Sequence, residues 1–225
     1  ATRRVEAYVR TGLPVEAIRA AAPVLSTGTG EHLGTRVHVA TSYIQARLPL
    51  QAAQVMREVA LHLPDGEAKQ LATLAAGLFL VDGGRWSEGG PLLEAPRSGA
   101  STNVALGLAC DVAEAVSLVL ADELYAALDR AVVTTDLEMT VFAEHELPVS
   151  AAMIATMVAV FAFDLRTANS VASRVADTPA LSEVQTTRRR LRADLVRVLA
   201  GGEPQWPLGA HGASEFSCPS KQWMS

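Results

Sequence analysis

The sequence predicts an all-α protein, a solenoid of about five antiparallel helix pairs followed by a capping helix. Three observations predict this class. Hydrophobic residues make up 49% of the chain and aromatic residues only 5%, so most apolar side chains are Ala, Val and Leu, and both Ala and Leu favour helices. Apolar residues recur at helical spacing on both sides of short turns. A turn phrase also recurs every 35 to 41 residues, a period typical of stacked helix pairs.

The repeated turn phrase marks the start of the second helix of each pair with one anchor residue. A proline fits there, because the N–H that it lacks has no intrahelical acceptor in the first turn. One helix pair cannot bury its own apolar face, so neighbouring pairs must stack. The pattern therefore predicts a superhelix with a concave groove. The anchors, separated by 35, 37, 38 and 41 residues, are Pro14, Pro49, Trp86, Leu124 and Leu165.

The predicted elements follow this period along the chain. Pro91 is expected to kink or delay the second helix of the third pair. Residues 134–148 lack a regular period, and residues 201–225 carry prolines and tryptophans without a helical pattern. We therefore expect a helical repeat domain over residues 3–200 and an extended or disordered tail over 201–225. The predicted helical segments are 3–25 (one pair), 37–47, 49–63, 67–81, 86–93, 103–120, 123–133, 150–163, 166–176 and 181–199, the last being the capping helix.

Charge and cysteine content limit the classes of partner and compartment. The formal net charge of −5 argues against non-specific nucleic-acid binding, since phosphate neutralisation needs a basic face. Cys110 and Cys218 form no metal or redox motif, so a reducing compartment is the simplest assumption. The longest apolar run, residues 151–163, is too short to span a bilayer. We therefore expect a cytoplasmic protein with no direct contact with nucleic acid or membrane.

Three segments invite comparison with chemical sites, and each has a simpler interpretation. Residues 28–35 are glycine-rich, but they lack the spacing and the lysine of a phosphate loop. Residues 144–146 read Glu-His-Glu, but a zinc protease needs a second histidine where Val149 stands. Asp111 and Glu114 share one helical face and could act as a carboxylate pair, although an ion pair with an arginine is the favoured interpretation. No metal or cofactor is expected.

Small, aromatic and turn residues recur in one order in the helix pairs, among them Tyr8, Gly12, Ala17, Ala40, Tyr43, Ala52, Pro64, Gly77, Gly84, Trp86 and Gly89. This order resembles the tetratricopeptide repeat family. The resemblance covers roughly residues 3–180 and implies a right-handed superhelix whose first helices line the groove. The Ala-rich style is similar to the sensor regions of large LuxR-type and AfsR-like bacterial regulators, which implies a regulatory scaffold. Their ATPase phosphate loop and helix-turn-helix are absent from this sequence, so DNA binding is not implied.

These considerations favour a binding module without catalytic activity of its own. Its ligand would be a peptide, a protein or a small effector within a bacterial regulatory pathway. The alternative is a helical tailoring enzyme that acts on a peptide or a small natural product in an apolar cavity. Trp206 and Trp223 leave two possibilities open for the tail, simple disorder or docking onto the concave face. The candidate groove residues are Arg36, Tyr43, Lys69, Thr73 and Asp111.

Overall fold

The computed structural model describes residues 2–26, 32–94, 104–141, 151–177 and 183–203. Across these ranges the chain is all-α, as predicted, with eleven helices and no strand. The helices are α1 (Thr2–Arg10), α2 (Pro14–Leu25), α3 (Leu33–Gln45), α4 (Pro49–His62), α5 (Glu67–Asp82), α6 (Trp86–Leu93), α7 (Val104–Leu120), α8 (Leu124–Val141), α9 (Ala151–Phe161), α10 (Leu165–Asp177) and α11 (Glu183–Leu199).

Every anchor residue of the repeated turn phrase is the first residue of a helix. The even-numbered helices from α2 to α10 begin at Pro14, Pro49, Trp86, Leu124 and Leu165. The period found in the sequence is therefore the spacing between the turns that join each odd-numbered helix to the helix after it. Of the predicted tail, residues 204–225 lie outside the described part of the chain.

The five turns that precede these anchors share one backbone geometry. Each has a single residue with positive φ, and these residues are Gly12, Arg47, Gly84, Asp122 and Phe163, with φ between 58° and 77°. At the third turn the N–H of Gly84 donates to the carbonyl of Val81 at 2.9 Å, and the N–H of Arg85 donates to that of Leu80 at 2.8 Å. This pair of bonds is a Schellman motif, and the same pair recurs at the other four turns. The same local hydrogen-bonding pattern therefore ends the first helix of each pair.

Phe163 is the most strained of these turn residues, because a bulky side chain disfavours the left-handed region. Its side chain is 88% exposed, so burial does not offset the strain. We expect Phe163→Gly to raise the free energy of unfolding by about 0.5–1 kcal/mol, measured by urea denaturation. The matched control is Gly84→Ala, which should lower the free energy of unfolding, since a Cβ at Gly84 meets no atom within 4 Å and only backbone strain is added. A loss of stability in Phe163→Gly would contradict this account of the turn.

A small buried residue follows each turn at the same distance. Five positions after the left-handed residue stand Ala17, Ala52, Gly89, Ala127 and Ala168, all of them buried. At the α5–α6 crossing, a Cβ on Gly89 would lie 2.8 Å from the carbonyl oxygen of Gly77. Small side chains at these positions therefore allow paired helices to cross closely.

The helices pack mainly against their neighbours in the chain. Each helix contacts the next one, and α1 also packs on α3, α5 on α7, and α7 on α9. Three apolar clusters result, one around α1–α3, one around α3–α5 and a larger one that extends from α5 to α11. Tyr43 on α3 packs against the first two clusters, and α5 contributes buried side chains to both the second and the third.

Two predicted boundaries are wrong. α3 begins at Leu33, four residues before the predicted start at residue 37. Residues 134–141 were expected to be irregular, but α8 continues through them to Val141. The hydroxyls of Thr134 and Thr135 donate to the carbonyls four residues earlier, at 2.8 and 2.7 Å. These bonds satisfy the polar side chains inside the helix, so a threonine-rich stretch does not interrupt it. Residues 142–148 lie outside the described ranges.

The prolines affect the helices less than the sequence suggests. α6 begins at Trp86 without delay, and Pro91 lies inside it. Pro23 likewise lies within the last turn of α2. The short α6 thus keeps the register of the repeat.

Candidate functional site

An apolar cavity of about 420 Å³ lies where the C-terminal halves of α5 and α7 face α9. Trp86, the first residue of α6, also contributes to its wall. We call this cavity the apolar groove. Asp82 is the one charged side chain among the described residues that line it. Its main apolar walls are formed by Leu78, Val81, Val116, Val119, Leu120, Met153, Met157 and Phe161.

The groove follows the register of the repeat. In α5, α7 and α9 the residues six and two positions before the left-handed turn residue line it: Leu78 and Asp82, Val116 and Leu120, Met157 and Phe161. The same two positions in the first two pairs are polar. They are Glu6 and Arg10, which form an ion pair at 2.7 Å, and Thr41 and Gln45. The apolar groove therefore lies along the last three pairs, and Asp82 is the one charged residue at these positions there.

Large side chains remain open to solvent along this groove. Trp86 is 57% exposed, Met157 is 50% exposed and Phe161 is 63% exposed. Isolated exposed apolar residues are ordinary, but several that line one concave surface are typical of an interaction site. The groove is therefore the candidate functional site.

The turns after α5, α7 and α9 carry acidic side chains, of which Asp82 lines the groove, and from the repeat we infer that the others lie along the same side. Gly84, the left-handed residue of the third turn, lines the groove, and Asp122 and Phe163 hold the same position in the next two turns. Since α5, α7 and α9 pack side by side, these three turns lie in one row. We define the acidic edge as the four carboxylates of this row: Asp82, Asp122, Glu123 and Asp164.

Asp164 has a structural role within this edge. Its carboxylate accepts hydrogen bonds from the hydroxyl of Thr167 at 2.7 Å and from the N–H of Thr167 at 3.0 Å, which caps the first turn of α10. These bonds hold the pKa of Asp164 below its ordinary value, because they favour the charged form. Asp164 is therefore an anion at neutral pH while it caps the helix.

Two of the residues predicted for the groove, Arg36 and Tyr43, lie on α3 and pack against neighbouring helices. Arg36 is buried, with 1% of its side chain exposed, and its Nη1 donates to Oε2 of Glu58 on α4 at 3.1 Å. Tyr43 is half-buried and packs against both the α1–α3 and the α3–α5 clusters. Neither residue lines the apolar groove.

The other three predicted residues lie on α5 and α7, also away from the groove lining. Lys69 pairs with Asp65 at 2.7 Å, and this contact lowers the pKa of Asp65. The hydroxyl of Thr73 donates to the carbonyl of Lys69 at 2.8 Å. Asp111 lies 3.7 Å from Arg130, which contacts Glu114 at 2.9 Å. The ion-pair interpretation of Asp111 and Glu114 is thus confirmed.

The sequence did carry a signal for the groove that composition alone does not reveal. α9 is apolar on every face, and Met153, Met157 and Phe161 are spaced by four residues. A helix that is apolar all round has a second apolar face beyond the one that packs into its own pair. That second face is the one that forms the groove wall.

Two further cavities include charged side chains in their linings. One of about 330 Å³ lies between α4 and α6 and includes Arg57, Arg85 and Glu88, with Arg85 and Glu88 in contact at 2.8 Å. The other, of about 440 Å³, lies between α10 and α11 and includes the ion pair of Asp194 and Arg197. In both, charged side chains of the chain already face one another, so neither is the better candidate for a ligand.

The described residues contain no cluster of three or more His, Cys, Asp or Glu side chains that could hold a metal ion. The Glu-His-Glu segment at 144–146, and residues 28–31 of the glycine-rich segment, lie outside the ranges that the structure describes. In those same ranges no helix has both the length and the apolar character needed to cross a membrane.

Comparison of the chain with protein-family models, with curated proteins and with solved structures finds no match in any of the three.

Proposed function

We propose that this chain is a tetratricopeptide-like solenoid, right-handed, with five antiparallel helix pairs and a capping helix. The repeated Schellman turns support this architecture, as does packing between successive odd-numbered helices at three places along the chain. A solenoid of this kind buries its apolar faces between neighbouring pairs and leaves the first helices to line a concave surface.

The capping role of α11 is supported by a charged residue at a position that is uncharged in the other odd-numbered helices. α11 ends in the same turn motif, with Gly201 at φ 83°. Seven residues before this turn residue stands Asp194, which is 7% exposed and is paired with Arg197. The five helices that open a pair have uncharged residues at this position: Val5, Ala40, Gly77, Ala115 and Thr156. A charge at this position distinguishes α11 from the helices that open a pair.

The function that we propose is recognition of a segment of a partner protein in the apolar groove. The half-exposed Trp86, Met157 and Phe161 carry this proposal, since apolar and aromatic side chains in a concavity are the usual anchors of peptide recognition. Only one titratable side chain lines the groove among the described residues, which favours binding over the alternative of a tailoring enzyme. A regulatory role in bacteria is part of the proposal and depends on the resemblance alone.

A random peptide library displayed on phage provides the test. We expect enrichment of peptides with two or more large apolar residues on the full chain. Phe161→Ser should raise the Kd of the selected peptides by about tenfold, because a buried aromatic contact contributes on the order of 1–2 kcal/mol to binding. The matched control is Val133→Ser, a change at an exposed residue of α8 that does not line the groove. Selected peptides that bind both variants equally would contradict the proposal.

A further inference from the structure

We infer that the segment bound in the groove is a basic amphipathic peptide, whose apolar side chains contact the groove while its lysine or arginine side chains face the acidic edge. This inference rests on the proposed function and specifies the chemistry of the partner. Its evidence is the charge of the edge, which is independent of the apolar lining on which the proposed function depends.

Three of the four carboxylates of the acidic edge have no ion-pair partner among the described residues, whereas several carboxylates elsewhere in the chain are paired. Asp111 and Glu114 share Arg130, and Glu58 contacts Arg36. Asp82, Asp122 and Glu123 are exposed, and no ion pair involves their side chains within the described ranges.

The cations nearest to this edge in sequence reduce its charge only in part. Arg85 is held by Glu88 at 2.8 Å, so this pair contributes no net charge. Arg166 lies close enough to Asp164 to lower its pKa. One of the four carboxylates is thus offset, and the edge retains a clear excess of negative charge. An acidic peptide would be repelled there, whereas a basic one would be attracted.

One of the carboxylates lies where the helix backbone disfavours it. Asp82 is the last residue of α5. The C-terminal end of a helix carries partial negative charge, so a carboxylate there is destabilising. A lysine or arginine side chain bound beside Asp82 would offset this repulsion.

An exposed aromatic residue adds to the case for a cation. Phe163 occupies the turn position equivalent to Asp122 and is 88% exposed. The faces of aromatic rings attract ammonium and guanidinium groups. An edge that combines carboxylates with an open ring is therefore suited to lysine or arginine side chains.

The test uses two labelled amphipathic peptides with the same leucine stripe, one with lysines on its polar face and one with glutamates. Binding to the full chain is measured by fluorescence anisotropy at low salt and at high salt. We expect the lysine peptide to bind about tenfold more tightly at low salt, with a smaller difference at high salt, because exposed charges are screened.

Neutralising the edge should abolish the preference. The variant combines Asp82→Asn, Asp122→Asn and Glu123→Gln; asparagine tolerates the left-handed turn at position 122. The matched control removes the same charge elsewhere, at exposed residues that do not line the groove: Glu94→Gln, Asp129→Asn and Asp177→Asn. The control should keep the preference for lysine, which separates the edge from the overall net charge of −5.

The outcomes distinguish the two proposals. Equal binding of both peptides to the unaltered chain, with a loss of both in Phe161→Ser, would overturn the basic partner and leave the groove as the binding site. A preference for lysine that survives in the edge variant would also overturn the inference. Binding of neither peptide, or binding that Phe161→Ser does not change, would overturn the proposed function and the inference together.

Discussion

Gly89→Val is expected to lower the free energy of unfolding by about 3 kcal/mol. A Cβ at position 89 would lie 2.8 Å from the carbonyl oxygen of Gly77 and 2.8 Å from Cγ2 of Val81. The first of these neighbours is backbone, so α5 and α6 would have to separate. Chemical denaturation followed by circular dichroism measures the effect.

Gly90, the neighbouring glycine in α6, provides the control, because its replacement is expected to change the free energy of unfolding in the opposite direction. A Cβ at Gly90 meets only Leu120, at 3.9 Å. Gly90→Ala should therefore be neutral or raise the free energy of unfolding by up to about 1 kcal/mol, because alanine favours helix more than glycine does. Equal losses in the two variants would show that the α5–α6 crossing is not the reason for Gly89.

Arg36→Ala is expected to cost about 3 kcal/mol of stability, although this residue looks from the sequence like a groove residue. Its side chain is 1% exposed and is paired with Glu58. Removing it empties a buried volume and breaks a largely buried ion pair, both of which destabilise a fold. Arg36→Met should recover part of the loss, since methionine restores much of the apolar packing. Thermal unfolding of the unaltered chain, Arg36→Ala and Arg36→Met measures this order of stability.

Arg57→Ala is the control for the effect of losing an arginine. Arg57 is 57% exposed and lies 4.0 Å from Glu88, and exposed ion pairs contribute little to stability. We expect a change within about 0.5 kcal/mol. An Arg36→Ala protein as stable as the Arg57→Ala protein would contradict the buried position of Arg36.

The helices and turns of this chain could be predicted from the sequence because their signals are local. Pro14 and Pro49 mark helix starts through the missing N–H, and Gly12 and Gly84 mark left-handed turns. Asp122 and Phe163 take the same conformation without being glycine, and only the spacing of the repeat identifies them. The repeat period therefore indicates these two turns, whereas residue type alone does not.

The groove could not be predicted in the same way, because burial depends on contacts between helices. Arg36 and Asp111 look exposed and functional by residue type, but Glu58 and Arg130 lie on neighbouring helices within reach of them. Met157 and Phe161 look like core residues by the same criterion, and both are at least half exposed. Charge suggests function and apolarity suggests core, but residue type alone determines neither the contacts nor the exposure of these side chains.

Methyl-labelled methionine spectra test the central claim most directly, since the described methionines lie both inside and outside the groove. Met153 and Met157 line it, whereas Met56 is 6% exposed within the α3–α5 cluster. On addition of the lysine-bearing amphipathic peptide, we predict that the Met153 and Met157 signals shift and that the Met56 signal does not. Binding that leaves Met153 and Met157 unchanged would contradict the account.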